Sequence, residues 1–138
     1  MMISAEIYVL VMAALLQVVQ LILMAVPANL ELGVGKTLSP RDLDRLGGSL
    51  ESQVSVRTAR LLRALNNHFE ALLLFAIAVL AVMLTDKSTP LTVVCSWAYL
   101  AARILYVPAY VLAWVPWRSM IWMVGLTATV VMLLSVLF

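Results

Sequence analysis

The chain holds one cysteine and one histidine in 138 residues. Cys95 has no partner for an intrachain disulfide, so cysteine usage says nothing about redox compartment. With Cys95 and His68 alone of their kinds, no His/Cys metal cluster can be built within one chain. Charge is scarce too: 12% of the residues are Asp, Glu, Lys or Arg, and the net charge is +2. Nucleic acid calls for a basic patch with interleaved aromatics, and none is present. Gly35-Lys36-Thr37 ends like a phosphate-binding loop, but Leu30 stands where that motif needs its first glycine. Neither end carries a lipidation motif.

What fills the chain instead is apolar: 64% of the residues are hydrophobic, against about 45–50% in a soluble domain. Four long runs, 3–26, 54–84, 91–114 and 120–138, each approach the roughly 20 residues that a bilayer core requires. The expected fold is an all-α integral membrane protein, a four-helix antiparallel bundle forming one domain over 1–138. The first run is too long for a signal-peptide core and lacks a basic flank, so it reads as a retained span.

The connections supply the details. Pro27 is expected to end the first helix, and Pro108 to kink the third. A polar loop follows over 29–53, with Gly33, Gly35, Pro40, Gly47 and Gly48 as breakers. Within it, Ser39-Pro40-Arg41-Asp42 signals the start of a short surface helix running to Leu46. Val115-Pro116-Trp117-Arg118-Ser119 reads as a tight turn. Loop one carries Lys36, Arg41 and Arg45, with Arg57 close by, and loop three carries Arg118, whereas the opposite side holds only Lys87. The positive-inside rule therefore places loops one and three in the cytoplasm. Trp97, Trp114, Trp117 and Trp122 stand near span ends, as an interfacial belt predicts. Gln17 and Gln20 share a helix face and suit interhelical hydrogen bonds. Glu6 lies near the outer end, within reach of headgroups or water.

The rare charges are not scattered. On a helix, Arg60, Arg63, Asn67 and Glu70 fall within an arc of roughly 80°, with Arg57 and His68 outside it. Tyr99, Arg103, Tyr106, Tyr110 and Trp114 form a second stripe of roughly the same width on the third span. Antiparallel neighbours bring both stripes to one depth at one end of the bundle. Intramembrane ionisable residues face the bundle interior and mark functional sites. Arg60, Arg63, Arg103 and Arg118 outnumber Glu70, and arginine forks match carboxylates, so the cluster suits a small anion bearing several of them. On the rival reading the arginines serve packing through ion pairs to Glu70, the tyrosines are interface anchors, and the protein is a non-catalytic binder of a small anion or lipid headgroup. His68 reads as a satisfied polar residue near the interface, and Cys95 as inert.

Arg63-Ala64-Leu65-Asn66-Asn67-His68-Phe69-Glu70, followed by Phe75, resembles the second-helix signature of the MAPEG family, the membrane-associated proteins in eicosanoid and glutathione metabolism. Arg103-x-x-Tyr106-x-x-x-Tyr110 and then Pro116-Trp117-Arg118-Ser119 are similar to its third-helix pattern and following loop. The whole looks most like the bacterial branch, which implies the inner membrane. The resemblance implies a homotrimer with glutathione, as cosubstrate, between protomers near the cytoplasmic face. It implies that Arg60, Arg63, Asn67 and Glu70 bind the peptide, with Glu70 meeting its ammonium group. Arg103, Tyr106 and Tyr110 would come from the adjacent protomer. Arg118, with Ser119 beside it, would stabilise the thiolate. The implied activity is transfer of glutathione to, or peroxide reduction of, a lipophilic molecule arriving from the bilayer.

Overall fold

The computed structural model describes residues 2–40, 42, 44 and 47–138. Four long helices carry the fold: α1 (Ala5–Leu32), α2 (Val56–Leu84), α3 (Pro90–Val111) and α4 (Trp117–Leu137). Each is long and apolar enough to cross a bilayer, and there is no strand among the described residues. The protein is a multi-pass, all-α integral membrane protein. Single helical turns at Val34–Thr37 and Leu50–Gln53 lie in the first loop. The surface helix expected from Ser39 to Leu46 falls largely on residues outside those described.

Local chemistry sets the helix starts. The Ser4 hydroxyl accepts from the Ile7 amide, and the Ser55 hydroxyl from the Thr58 amide. Thr89 and Thr92 form a reciprocal capping box, with Pro90 opening α3. Glu31, at the end of α1, adds a carboxylate at the start of α2. It accepts from the Ser55 amide at 2.7 Å, the Ser55 hydroxyl at 2.9 Å and the Thr58 hydroxyl at 2.6 Å. A negative group there meets the positive end of the helix dipole and ties α1 to α2.

The span limits differ from the sequence reading. The first helix does not stop at Pro27 but runs through it to Leu32. Its stop is Gly33, whose φ of 84° leaves the helical region. Proline removes one donor from a helix interior without ending it where the neighbouring turns hold, and lipid gives the freed chain no better partner. At the other side of the bundle α3 ends at Val111, and Ala113, with φ of 55°, turns the chain. The tight turn is therefore 112–116, and Arg118 and Ser119 belong to the first turn of α4.

In cross-section the bundle is a diamond. α2 and α3 touch across the short diagonal, each also packs against α1 and α4, and α3 against α4 is the most extensive contact. The core joins Val9 and Ala13 of α1, Phe75, Ala78 and Val79 of α2, Cys95 and Tyr99 of α3, and Ala128 and Met132 of α4. Gly125, Ala128, Thr129 and Met132 make the buried face of α4 at helical spacing. The small size of Gly125, Ala128 and Thr129 lets α3 and α4 approach closely, which is how helices associate where lipid supplies no hydrophobic drive.

Glu6, in the first turn of α1, is fully buried among the helices. Its Oε1 accepts from the hydroxyls of Ser88 and Thr92, each at 2.7 Å. A carboxylate beside the N-terminus of α3 is favoured by that helix's dipole. Glu6→Gln keeps the accepting oxygen and should preserve thermal stability in detergent. Glu6→Ala leaves the Ser88 hydroxyl without its acceptor, the Thr92 hydroxyl keeping the Thr89 carbonyl, and should lower unfolding free energy by about 1 kcal/mol. Equal losses in the two variants would show that the carboxylate charge matters rather than the acceptor.

Candidate functional site

α2 enters the site with a register that repeats every three or four residues, so Arg63, Asn67 and Glu70 share one face. α3 runs the other way and presents Arg103, Tyr106 and Tyr110. The two stripes meet inside a single chain. The Arg103 Nη1 donates to the Asn67 Oδ1 at 3.1 Å. The Arg63 guanidinium lies 5.9 Å from the Tyr110 ring centroid, and Arg118 from α4 lies 4.9 Å from the same ring. Tyr106 and Tyr110 are tilted neighbours with centroids 5.6 Å apart.

These side chains bound a cleft of about 390 Å³, open on one side. α2 lines it with Arg63, Asn66, Asn67 and Glu70, α3 with Tyr106 and Tyr110, and α4 with Arg118, Ser119 and Trp122. Two guanidinium groups and one carboxylate thus face the same space. Glu70 makes no ion pair or hydrogen bond among the described residues. Arg63 pairs with Glu51 of the first loop, both about 44% exposed. That pair is solvent-screened and exchangeable, since exposed ion pairs contribute at most about 1 kcal/mol.

A second, smaller space of about 120 Å³ continues from the cleft into the bundle. It shares Asn67, Glu70 and Trp122 with the cleft, then passes Ala71 and Leu74 of α2 and Gly125, Leu126 and Thr129 of α4. Tyr99 and Arg103 of α3 line it as well. The composition shifts from polar at the mouth to apolar within. Gly125 lies against α3: a Cβ there would stand in ordinary contact, 3.6 Å from the Ala102 Cβ and 3.8 Å from the Arg103 Cδ.

Arg103 is 2% exposed and is held from three sides. Its Nε donates to the His68 Nδ1 at 3.2 Å, its Nη1 holds Asn67, and its guanidinium carbon lies 4.5 Å from the Tyr106 ring centroid. His68 Nε2 lies 3.0 Å from the Ala13 carbonyl of α1. With Nδ1 accepting from an arginine, Nε2 must carry the proton and donate, so the imidazole is neutral and its tautomer fixed. One guanidinium therefore links α1, α2 and α3.

The chain matches the MAPEG family over residues 9–138. It is a MAPEG protein. No curated protein and no solved structure matches it significantly. Membership makes it a membrane protein of the glutathione and eicosanoid metabolism family.

Within this MAPEG chain most of the residues expected at the site converge: Arg63, Asn67, Glu70, Tyr106, Tyr110, Arg118 and Ser119 all reach the cleft. Arg60 does not. Its Nη1 donates to the Val111 carbonyl at 3.1 Å, closing the C-terminus of α3. A helix end leaves four carbonyls without donors, and a long cation one turn away is a natural partner. Arg103 lies on the inner space rather than on the polar cleft. Arg103, Tyr106 and Tyr110 meet the α2 stripe of their own chain. Trp114 lies beyond the end of α3 and is 45% exposed. Among the described residues Gln17 and Gln20 form no bond across helices: the Gln17 Oε1 and both polar atoms of Gln20 are buried without a hydrogen-bond partner there.

Among the lining residues that the sequence does not mark as site residues, Trp122 stands there as an interfacial anchor and Tyr99 only as one member of a stripe, while Gly125 carries no signal of its own. His68, outside the α2 arc, is the satisfied polar residue that the sequence suggests, and it is fully buried. His68→Phe fills the same volume but strips Arg103 of its Nε acceptor. It should lower stability in detergent by about 1–3 kcal/mol, read from the thermal unfolding midpoint. An unchanged midpoint would mean that Arg103 holds its place without the imidazole.

Proposed function

We propose that the protein is a glutathione-dependent transferase or peroxidase acting on lipophilic electrophiles. The observation that carries this reading is the convergence of Arg63, Asn67, Glu70, Tyr110, Arg118 and Ser119 on one open cleft. Glutathione has two carboxylates, an ammonium group, two amides and a thiol. Arg63 offers a carboxylate fork, Asn67 an amide partner, and the unpaired Glu70 a counter-ion for the ammonium. Arg118 supplies the cation that a thiolate needs, since the thiolate rather than the thiol is the nucleophile and a nearby guanidinium lowers its pKa. Ser119 offers a hydroxyl beside it. Membership of a family in glutathione metabolism supports the same assignment.

In this mechanism the cleft holds the peptide with its sulfur toward Arg118, and the electrophile approaches from the apolar side. Proximity supplies much of the acceleration, because both reactants are held where free solution would keep them apart. A homotrimer, with loops one and three cytoplasmic and the chain in a bacterial inner membrane, belongs to the same proposal. Arg60 is assigned to the α3 terminus and not to the peptide.

The rival reading, a non-catalytic binder of a small anion or headgroup, draws on the structural bonds of Arg60 to Val111 and of Arg63 to Glu51. Calorimetry separates the two. Glutathione should bind the purified protein, and Glu70→Gln should weaken binding by about tenfold, the loss of about 1.4 kcal/mol from one charge-assisted contact. Arg63→Ala should do the same while oligomeric mass in detergent stays unchanged. Absence of glutathione binding to the unmodified protein would end the enzymatic reading.

A further inference from the structure

We infer that Asn67 meets the cleft as a fixed hydrogen-bond donor, and that His68 and Arg103 are positioning residues that hold it so. This rests on the proposed activity for the identity of the ligand, but the direction of the amide does not require glutathione. An asparagine side chain carries an oxygen that accepts and a nitrogen that donates, in nearly the same shape. Which of them a site presents decides which ligand atom it can bind.

The direction is fixed from α1 inward. The Ala13 carbonyl can only accept, so the His68 Nε2, 3.0 Å away, donates to it. The Nδ1 accepts from the Arg103 Nε at 3.2 Å, and a proton there would set donor against donor. A guanidinium has donors and no acceptor. The atom of Asn67 that stands 3.1 Å from the Arg103 Nη1 therefore has to be the oxygen. The Nδ2 takes the other branch of the amide. It has no partner among the described residues, and unlike the sealed polar atoms of Gln20 it keeps accessible surface. Asn67 lines the cleft beside Glu70. A backbone carbonyl on α1 thus sets the polarity of a cleft residue on α2.

The consequence is selectivity. Along the α2 face the groups run donor, donor, acceptor: Arg63, Asn67, Glu70. Asn67 takes an acceptor oxygen of the bound peptide, while Glu70 takes its N–H groups. A free asparagine would turn its amide to suit either kind of ligand atom. This one is held, because turning it would press its NH2 against a guanidinium that is 2% exposed and itself fixed by His68 and the Tyr106 ring. Buried donors left facing each other are costly. The amide is therefore oriented before the ligand arrives, and binding loses no rotamer freedom at that side chain.

Substitution tests the sign of the amide. Asn67→Asp keeps an oxygen toward Arg103 and puts a second oxygen where the donor was, whereas Asn67→Ala leaves neither. Calorimetry should show glutathione affinity falling by about threefold in Asn67→Ala and by about 30-fold in Asn67→Asp. Tighter binding to Asn67→Asp than to Asn67→Ala would mean that the ligand meets the oxygen, and would overturn the inference. His68→Phe takes an acceptor from Arg103 and frees Asn67 to turn. Its glutathione affinity should drop several-fold at a temperature where the variant is fully folded. His68→Gln, which offers Arg103 an oxygen and the Ala13 carbonyl an N–H, should recover most of that affinity. Equal affinity in His68→Phe and the unmodified protein would remove the positioning role. A third measurement uses no glutathione. The chain has three asparagines, Asn29, Asn66 and Asn67, so in protein carrying isotope-labelled asparagine the side-chain amide signals of Asn67 are assigned by their loss in Asn67→Ala. Those protons should exchange with water in the ligand-free protein. Protons shielded from water there would overturn the inference. Exchanging protons in a protein that never binds glutathione would retain the donor and defeat the proposed activity instead.

Discussion

Arg118→Ala should lower the rate of glutathione transfer by about 10²- to 10³-fold, the range seen when one preorganised charge-stabilising group is removed. Glutathione affinity should fall far less, because the peptide keeps Arg63, Asn67 and Glu70. Arg118 has no carboxylate partner among the described residues, and its guanidinium lies over the Tyr110 ring at the cleft wall. It stands on the first turn of α4, where its amide donates to the Trp114 carbonyl at 2.9 Å. The side chain is thus placed by a helix rather than by a loose turn. The direct readout is the ultraviolet absorbance of bound thiolate near neutral pH. It should be strong in the unmodified protein and nearly absent in Arg118→Ala. A variant that retains the thiolate signal would transfer the role to another group, with Arg63 the other cation lining the cleft. Arg118→Lys restores charge without the planar fork and should recover part of the signal.

Phe75→Ala should produce the largest loss of stability, about 3 kcal/mol. Phe75 is fully buried between α1, α3 and α4 and stacks on Tyr99. In water much of such a loss is transfer of the ring out of solvent. In a bilayer the separated helices remain in a medium as apolar as the core, so that part shrinks. What remains is the void and the contacts its lining forfeits, which grow with the volume removed. Thermal unfolding in detergent measures the total. Phe75→Leu should retain most of the packing and lose about 1 kcal/mol. A smaller loss for Phe75→Ala than for Phe75→Leu would mean that the helices close around the vacated space.

Four spans and a polar cluster at one end of the bundle could be read from the sequence because bilayer thickness and helical period are strong constraints. The Arg63, Asn67 and Glu70 face was legible for the second reason. Their ends were not. Pro27 is a breaker in water, but in lipid the helix is the only way to satisfy the backbone, and the chain continues to Gly33. Arg60 shows a second limit. A helical wheel gives the direction of a Cα–Cβ bond, whereas an arginine head can reach the end of a neighbouring helix instead of the shared face. His68 shows a third. α2 sits on the short diagonal of the diamond, so it has two buried faces, and a residue outside one stripe can be inside the other. Tyr99 and Gly125 matter through a space between three helices, which no single-helix pattern encodes.

The guanidinium of Arg103 fastens α1, α2 and α3 through His68, Asn67 and Ala13, and α4 stands outside that knot. α4 is bonded to α3 and to the turn before it, through Ser96 to Met132 and Lys87 to Val136. Between α2 and α4 no hydrogen bond runs among the described residues. The inner space lies along that seam. Mechanically the bundle is a three-helix frame tied by one guanidinium, to which α4 is joined on the α3 side by polar bonds and on the α2 side by packing alone.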